Sequence, residues 1–375
     1  MLDVGRFGAV SSSNVNDAVE PAEGGRSIPE LTTVGPEFAV VHTGTSVQRF
    51  DGLTPGTDHD LGGFRFRTLP DLGPQLARFT TVNDVHYGEQ VAGLIEGSDI
   101  GPVFTSPPDA PHADVMSAAA IAEMAPLDPD LVVVKGDLTS NATQDELDRF
   151  LAAYGGAFGD RLLYVRGNHE SYHHVTFAND PWQRRDLPGA TVVLLDTSID
   201  GEVAGTVTDD QLAYLDDLAA HADRPILLFG HHPIGDRDSS DKSDRTFGID
   251  PDRSDLLRAL IARRPAIALY SAGHTHRNRV RRFPITGDVP FGEVGSVKDY
   301  PGAWAEYRIH EGGIHQIVHR ISSPEALAWT EQTRHMFAGL FADYAFGDLD
   351  DRCFTITPRP LHPSGSVADP ETDRS

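Results

Sequence analysis

Five short clusters of metal-competent residues punctuate the sequence: Asp84-x-His86, Gly136-Asp137, Gly167-Asn168-His169-Glu170, Gly230-His231-His232 and Gly273-His274-Thr275-His276. Imidazole nitrogens, carboxylates and an amide oxygen are the donor types that bind divalent cations and move protons near neutral pH. Any one cluster is a weak signal. An Asp-x-His or Gly-Asp arises by chance, and a Gly-His-x-His is only moderately informative. Five in this order, each directly after an apolar run, are not a coincidence. The densest stretch, "GNHESYHH" at 167–174, raises a sharper question. Its three histidines suggest a histidine-only metal site, yet its asparagine and glutamate are equally able to contribute.

The apolar runs say what positions these residues. "LARFTTV" precedes Asp84, "DLVVV" precedes Gly136, "RLLYV" precedes Gly167, "RPILLF" precedes Gly230 and "AIALYSA" precedes Gly273. Such runs read as buried strands. Helix-like windows near 113–125, 143–153, 208–221 and 253–263 separate them, so the core is α/β. Ligands gather where strands end, because the loops there converge on one edge of a sheet. Glycine lets the backbone turn sharply at such a point.

Around this core the chain divides as follows. Residues 1–36, rich in Ser, Asn, Glu and Gly, read as a flexible arm. Residues 37–72 offer short β-rich runs broken by Pro-Gly and Gly-Gly turns, a small β appendage resembling the end of a fibronectin type III domain. The catalytic domain spans 73–322, and a helix and strand extension follows at 323–356. Within it, Trp329, Met336, Phe337, Leu340, Phe341 and Tyr344 recur at helical spacing, which predicts one amphipathic helix over 324–344. Packing on its own core is the plain reading of that helix; a lid or a homodimer contact is the other. Residues 357–375, polar and Pro-rich, read as a disordered tail. The gap between His86 and Asp137 reads as an inserted loop at the mouth of the site, where substrate choice would be set. His112 within it reads as incidental, and Tyr87 as a pocket-lining candidate.

Composition narrows the partners. The chain of 375 residues has a formal net charge of −25 and a single cysteine, Cys353, which excludes an intrachain disulfide. A surface this acidic repels phosphate backbones, so no nucleic acid polymer is expected as a partner. No run approaches the roughly 18 apolar residues of a spanning helix, so no membrane partner is expected. The N-terminus lacks the charged and apolar regions of a signal peptide, which points to the cytoplasm. The one basic cluster, Arg277, Arg279, Arg281 and Arg282, reads either as a solvated strand pair or as a phosphate contact.

Taken in order, the five clusters resemble the five motif blocks of the calcineurin-like metallophosphoesterase superfamily, over roughly residues 76–310. "GDLTSNAT", "GNHE", "GHHP" and "GHTHRNRV" are most similar to its class III cyclic-nucleotide phosphodiesterases. The resemblance implies a four-layer αββα sandwich of two mixed sheets. It implies two divalent metals, one held by Asp84, His86 and His276, the other by Asn168, His231 and His274, with Asp137 bridging both. Mixed nitrogen and oxygen donors suit Mn, Fe, Zn or Co. Two ligand carboxylates against two dications leave the site cationic, able to attract a phosphate. The implied reaction is hydrolysis of a small phosphodiester, a cyclic nucleotide or glycerophosphodiester, by in-line attack of a metal-bridging hydroxide. His169 is then the catalytic acid, with Asp137 and Asn168 beside it. His232 turns away from the metals, and His173 and His174 are bystanders. The superfamily usually shows Asp where this chain has Glu170, a change expected to shift hydrogen bonds without removing a ligand. A phosphomonoesterase or nucleotidase on the same site is the alternative, and an inactive scaffold a more distant one.

Overall fold

In the computed structural model the structure describes residues 28–94 and 100–361. The N-terminal strands are β1 (Pro29–Val34), β2 (Phe38–Thr43), β3 (Ser46–Asp51), β4 (Asp58–Leu61) and β5 (Phe64–Arg67). The catalytic body begins at β6 (Gln75–Val82) and continues through a small hairpin, β7 (Val91–Ala92) and β8 (Phe104–Thr105), to β9 (Leu131–Lys135) and β10 (Leu162–Val165). Then come β11 (Trp182–Leu187), β12 (Ala190–Leu195), β13 (Ile226–Phe229), β14 (Ile267–Ala272), β15 (Arg279–Arg281) and β16 (Phe291–Glu293). The last are β17 (Ala303–His310), β18 (Gly313–Arg320) and β19 (Cys353–Ile356).

Two six-stranded mixed sheets form the body, ordered β10-β9-β6-β17-β18-β19 and β11-β12-β13-β14-β16-β15. Strands β6, β9 and β10 run parallel in the first sheet, and β12, β13, β14 and β16 in the second. Side-chain alternation explains the layers. Leu131, Val133, Val192 and Leu194 meet in the core between the sheets. Val132 and Val134 turn outward onto Met116, Met124 and Phe150 of the helices at 112–124 and 144–150. Val193 and Leu195 turn outward onto Leu215, Leu257 and Leu260 of the helices at 209–220 and 251–263. Strands buried on both faces read as continuous apolar runs. The order is helix, sheet, sheet, helix: the expected four-layer sandwich. Among the described residues, no helix is long and apolar enough to cross a membrane.

Three boundaries differ from the sequence reading. The expected arm at 1–36 does not extend over Pro29–Val34, which pairs with β2 and docks on the body. Thr33 Oγ1 donates to the Val318 carbonyl at 2.9 Å, and Arg352 donates to the Leu31 and Thr32 carbonyls at 2.7 and 3.1 Å. Residues 1–27 of that arm lie outside the described residues. The expected extension at 323–356 is not separate, since Cys353–Ile356 pairs with β18 and completes the first sheet. The expected tail at 357–375 does not hold at Arg359, which donates to the carbonyls of Ile261, Arg264 and Ile267 at 2.7–3.0 Å. Residues 362–375 lie outside the described residues.

The single helix expected over 324–344 is also broken. One helix runs Pro324–Thr333 and another Phe341–Phe346. Between them Phe337 and Ala338 take left-handed backbone (φ 54° and 57°), and the Ala338 N–H donates to the Gly101 carbonyl at 2.6 Å. The apolar residues keep their burial by turning the chain: Met336 and Phe341 pack with Tyr300 and Ala92.

Candidate metal centre

The site is built on strained backbone. Asp84, His86, Asp137, His274 and His276 all have positive φ, between 45° and 68°. Side chains other than glycine, Asn and Asp adopt that region seldom, at a cost of about 1–3 kcal/mol each. Each lies just past the end of β6, β9 or β14, where the strand must turn out of the sheet within a residue or two. Two glycines make the crowding possible. Gly136 has φ 89°, and a Cβ there would lie 2.5 Å from His231 Nδ1. A Cβ on Gly167 would collide with the Asp137 carboxylate and backbone.

These turns bring all eight expected residues together. Asp137 Oδ2 lies 3.3 Å from His86 Nε2 and 3.4 Å from His231 Nε2. On one side, donor atoms of Asp84, His86 and His276 lie within 4.8 Å of one another, with Asp84 Oδ1 3.7 Å from His276 Nε2. On the other, Asn168 Oδ1 is 3.0 Å from His231 Nε2, and His231 and His274 fall in a second such group. Asp84, His86, Asp137, Asn168 and His231 are buried, whereas His169, His274 and His276 are half-buried and mark the open side. His86 Nε2 is buried without a hydrogen-bond partner. A buried orphan nitrogen facing a carboxylate, within a hard-oxygen and imidazole donor set, fits a pair of divalent cations.

Charge at the site follows from this crowding. Burial and the neighbouring Asp137 raise the Asp84 carboxyl above its ordinary value. Burial opposes ionisation of Asp137 too, yet the imidazoles of His231, His169 and His86 hold it well below its usual range. Burial likewise disfavours charge on His86 and His231, but Asp137 with Glu89 raises the first to about 10, and Asp137 with Asp84 raises the second to about 9.

His169 sits across from the metal-competent cluster. Its N–H donates to Asp137 Oδ1 at 3.0 Å, its Nδ1 bonds the Ser140 carbonyl at 2.9 Å, and its ring is 4.3 Å from that of His86. Burial lowers its pKa below the ordinary value. His232 completes the group of His231 and His274, but its nitrogens have other partners: Nδ1 meets Thr197 Oγ1 at 2.9 Å and Nε2 the Val203 carbonyl at 3.1 Å. His173 and His174 are exposed.

Glu170 has a defined task. One carboxylate oxygen accepts from the N–H and Oγ1 of Thr139, at 2.7 and 2.6 Å, and the other from the Gly167 N–H at 2.7 Å. It fastens the Asp137 loop to the Asn168 loop, and burial beside Asp137 raises it to about 7. Asn83 Nδ2 braces Asp84 Oδ2 at 2.5 Å, while the Lys135 carbonyl takes His231 Nδ1 at 2.9 Å.

Some expectations fail here. His112 is not incidental: it is buried, 3.6 Å from Glu89 and stacked on Trp329 at 4.2 Å. Tyr87 does not line the pocket but is buried against Phe150 and Tyr154. Of the arginine cluster, Arg282 is exposed, whereas Arg277, Arg279 and Arg281 are engaged with carboxylates of the protein. Arg277 pairs with Glu293 at 2.8 Å and Asp244 at 2.9 Å, and Arg279 with Asp244 at 2.7 Å. Sequence reasoning missed Glu89, whose Oε2 is 3.0 Å from His86 Nδ1. Its position three residues after His86 was the available signal. Lys298 and Asp299, which complete the same cluster, lie beyond any motif.

Two mixed sheets with metal-competent residues at their strand ends define a metallophosphoesterase fold. The chain belongs to the calcineurin-like phosphoesterase family, whose sequence model matches residues 77–278, more than half of its length. That family is built around a dinuclear metal centre. Among curated proteins it is similar to a probable cyclic nucleotide phosphodiesterase of Fibrobacter succinogenes, with 32% identity over 28% of this chain and 43% of that protein. It is also similar to a probable glycerophosphodiester phosphodiesterase, GpdQ, of Arcobacter nitrofigilis, with 28% identity over 40% of this chain and 57% of the relative. A 3',5'-cyclic adenosine monophosphate phosphodiesterase, CpdA, of Pseudomonas aeruginosa is 33% identical over 28% of this chain and 40% of its own. The chain thus spans about half the length of the curated relatives it matches. A dimetal phosphatase from Danio rerio shares the fold, with a TM-score of 0.55, 13% identity, and coverage of 76% of this chain and 100% of that one.

Proposed function

We propose that the protein is a metal-dependent phosphoric ester hydrolase acting on a small phosphodiester. The observation that carries this is the placement of Asp137 Oδ2 between His86 Nε2 and His231 Nε2, at 3.3 and 3.4 Å. A carboxylate shared between two mixed donor sets is what a pair of cations needs as a bridge. In this reading Asp84, His86 and His276 hold one cation, and Asn168, His231 and His274 the other. When bound, the pair would offset phosphoryl charge and activate a water for in-line attack at phosphorus. Mn, Fe, Zn or Co suits these donors.

The remaining chemistry belongs to side chains. Asp137 Oδ1, the oxygen not facing the two imidazoles, takes the His169 N–H in the first turn of the helix Asn168–Tyr172 and so fixes that residue's backbone. His169 Nδ1 is committed to the Ser140 carbonyl, so a proton available to substrate must sit on Nε2. The buried setting opposes that second proton until an anionic phosphoryl group arrives beside it, and His169 then gives it to the leaving oxygen. Diesters of the cyclic-nucleotide or glycerophosphodiester class are favoured because the curated relatives are named for those activities. The net charge of −25 disfavours long polyanions.

The test compares bis(p-nitrophenyl) phosphate with p-nitrophenyl phosphate after metal reconstitution. A higher kcat/KM on the diester is expected; a clear preference for the monoester would replace this reading with a phosphomonoesterase.

A further inference from the structure

Behind the Asp84, His86 and His276 group lies a buried cluster of alternating charge. Glu89 Oε2 is 3.0 Å from His86 Nδ1, and Glu89 Oε1 is 2.7 Å from Lys298 Nζ. Lys298 Nζ is 2.5 Å from Asp299 Oδ2, which lies 3.8 Å from His276 Nδ1. The side chains of Lys298 and Asp299 are 6% and 3% exposed, so their charges act through protein and not through water. The backs of the two imidazoles of this group therefore face carboxylates held by one ammonium. The other group is braced differently: His231 Nδ1 meets the neutral Lys135 carbonyl at 2.9 Å, and the carboxylate near it, Asp84 Oδ1 at 3.9 Å, belongs to the first group's own ligand set.

The C-terminal segment closes the cluster. Trp329 Nε1 donates to the Lys298 carbonyl at 2.9 Å. The Trp329 ring stacks on His112 at 4.2 Å, and His112 Nε2 is 3.6 Å from Glu89 Oε1. Trp329 lies in the helix Pro324–Thr333, far along the chain from every motif of the site.

We infer that Glu89 and Lys298 are positioning residues for the cation held by Asp84, His86 and His276, and that the C-terminal helix locks this one position through Trp329. A carboxylate behind a ligating imidazole fixes the ring orientation and raises its basicity, and losing such a partner costs about 10–100-fold in metal affinity. Lys298 compensates the two carboxylates, so they can be buried without neutralising each other's effect by repulsion. The two metal positions are then unequal by construction: one is backed by a charged cluster outside the ligand set and tied to the C-terminal helix, the other by a peptide carbonyl and a carboxylate of the ligand set itself. This rests on the dinuclear reading proposed above.

Calorimetric titration of the metal-stripped full-length protein with Mn²⁺ tests it. The wild type is expected to bind two ions. In Glu89→Gln one site keeps its affinity, while the other weakens by about 10–100-fold. Glu89→Asp restores a carboxylate and recovers part of the loss. Lys298 keeps Asp299 as a partner in Glu89→Gln, so the fold should survive. Should Glu89→Gln fail to fold, Trp329→Phe carries the test: it retains the ring over His112, drops the bond to Lys298, and should weaken the same single site severalfold. Equal weakening of both sites, or no change at either, overturns the inference while leaving two-ion binding by the wild type intact. Fewer than two ions on the wild type overturns the inference together with the dinuclear reading.

Discussion

At the scale of single residues, the site separates groups that could hold metal from groups that hold those groups. The first set was legible because residue type and position after a strand announce it: Asp84, His86, Asp137, Asn168, His231, His274 and His276. The conspicuous histidines of "GNHESYHH" were the misleading part. Asn168 is the member of that stretch beside His231, while His173 and His174 face solvent. The second set was largely illegible: Glu89 is marked only by its spacing from His86, and Lys298 reaches it across more than 200 positions with nothing local to mark it. Two predictions belong here. His169→Gln should lower kcat by about 10²–10⁴-fold on a diester with an alkoxide leaving group. It should cost far less with p-nitrophenolate, which leaves without a proton; equal losses on both would remove the acid role. Glu170→Ala strands the Thr139 and Gly167 donors in a dry interior, at about 1–3 kcal/mol for each buried group left unpaired. A melting curve should show a clear fall in Tm, and an unchanged Tm would mean that water replaces the carboxylate.

Among elements, the strands that end at the site were legible and the edges of the fold were not. Apolar runs such as "DLVVV" need no tertiary information, because both faces of the strand are buried. Pro29–Val34 was hidden within a polar terminus, since its stability comes from β2 and from Arg352, not from its own pattern. The break at Phe337 and Ala338 was hidden for the converse reason: helical spacing continues through it, while the backbone turns to meet Gly101 and pack Met336 and Phe341 against Ala92. Docking of the N-terminal β module carries a pH dependence. His42 bridges Thr32 Oγ1, at 2.8 Å, and Ser322 Oγ of the body, at 3.1 Å. Burial, with Arg320 nearby, lowers its pKa from 6.5 to about 3. The unfolded chain therefore binds the extra proton between those values, and stability is lost as pH falls below 6.5. Between pH 7 and pH 5 that loss is about 2 kcal/mol. Denaturant titrations should show it in the wild type and a smaller pH response in His42→Gln; identical pH profiles would contradict the assignment.

For the whole molecule, two sheets contribute opposite sides of one centre. The first supplies Asp84, His86, Asp137 and Asn168 from the ends of β6, β9 and β10, and the second supplies His231, His274 and His276 from the ends of β13 and β14. Relative movement of the sheets would separate the two imidazoles that flank Asp137. Buried Lys135 resists this, since its Nζ crosses from β9 to the Ala272 carbonyl at 2.8 Å and Ser271 Oγ at 3.3 Å on β14. The overall charge of −25 opposes the approach of an anionic substrate that the cationic centre would attract. Added salt screens the long-range repulsion more than the contact attraction. Raising NaCl should therefore increase kcat/KM for an anionic diester at fixed metal loading, and a steep decrease would point to attraction by the surface instead. The central claim is that Asp137 joins two cation positions. Anomalous scattering from crystals of the Mn²⁺-loaded protein tests it most directly. Two peaks are expected, one among Asp84, His86 and His276, the other among Asn168, His231 and His274, with the Asp137 carboxylate between them. A single peak, or peaks away from Asp137, would contradict it.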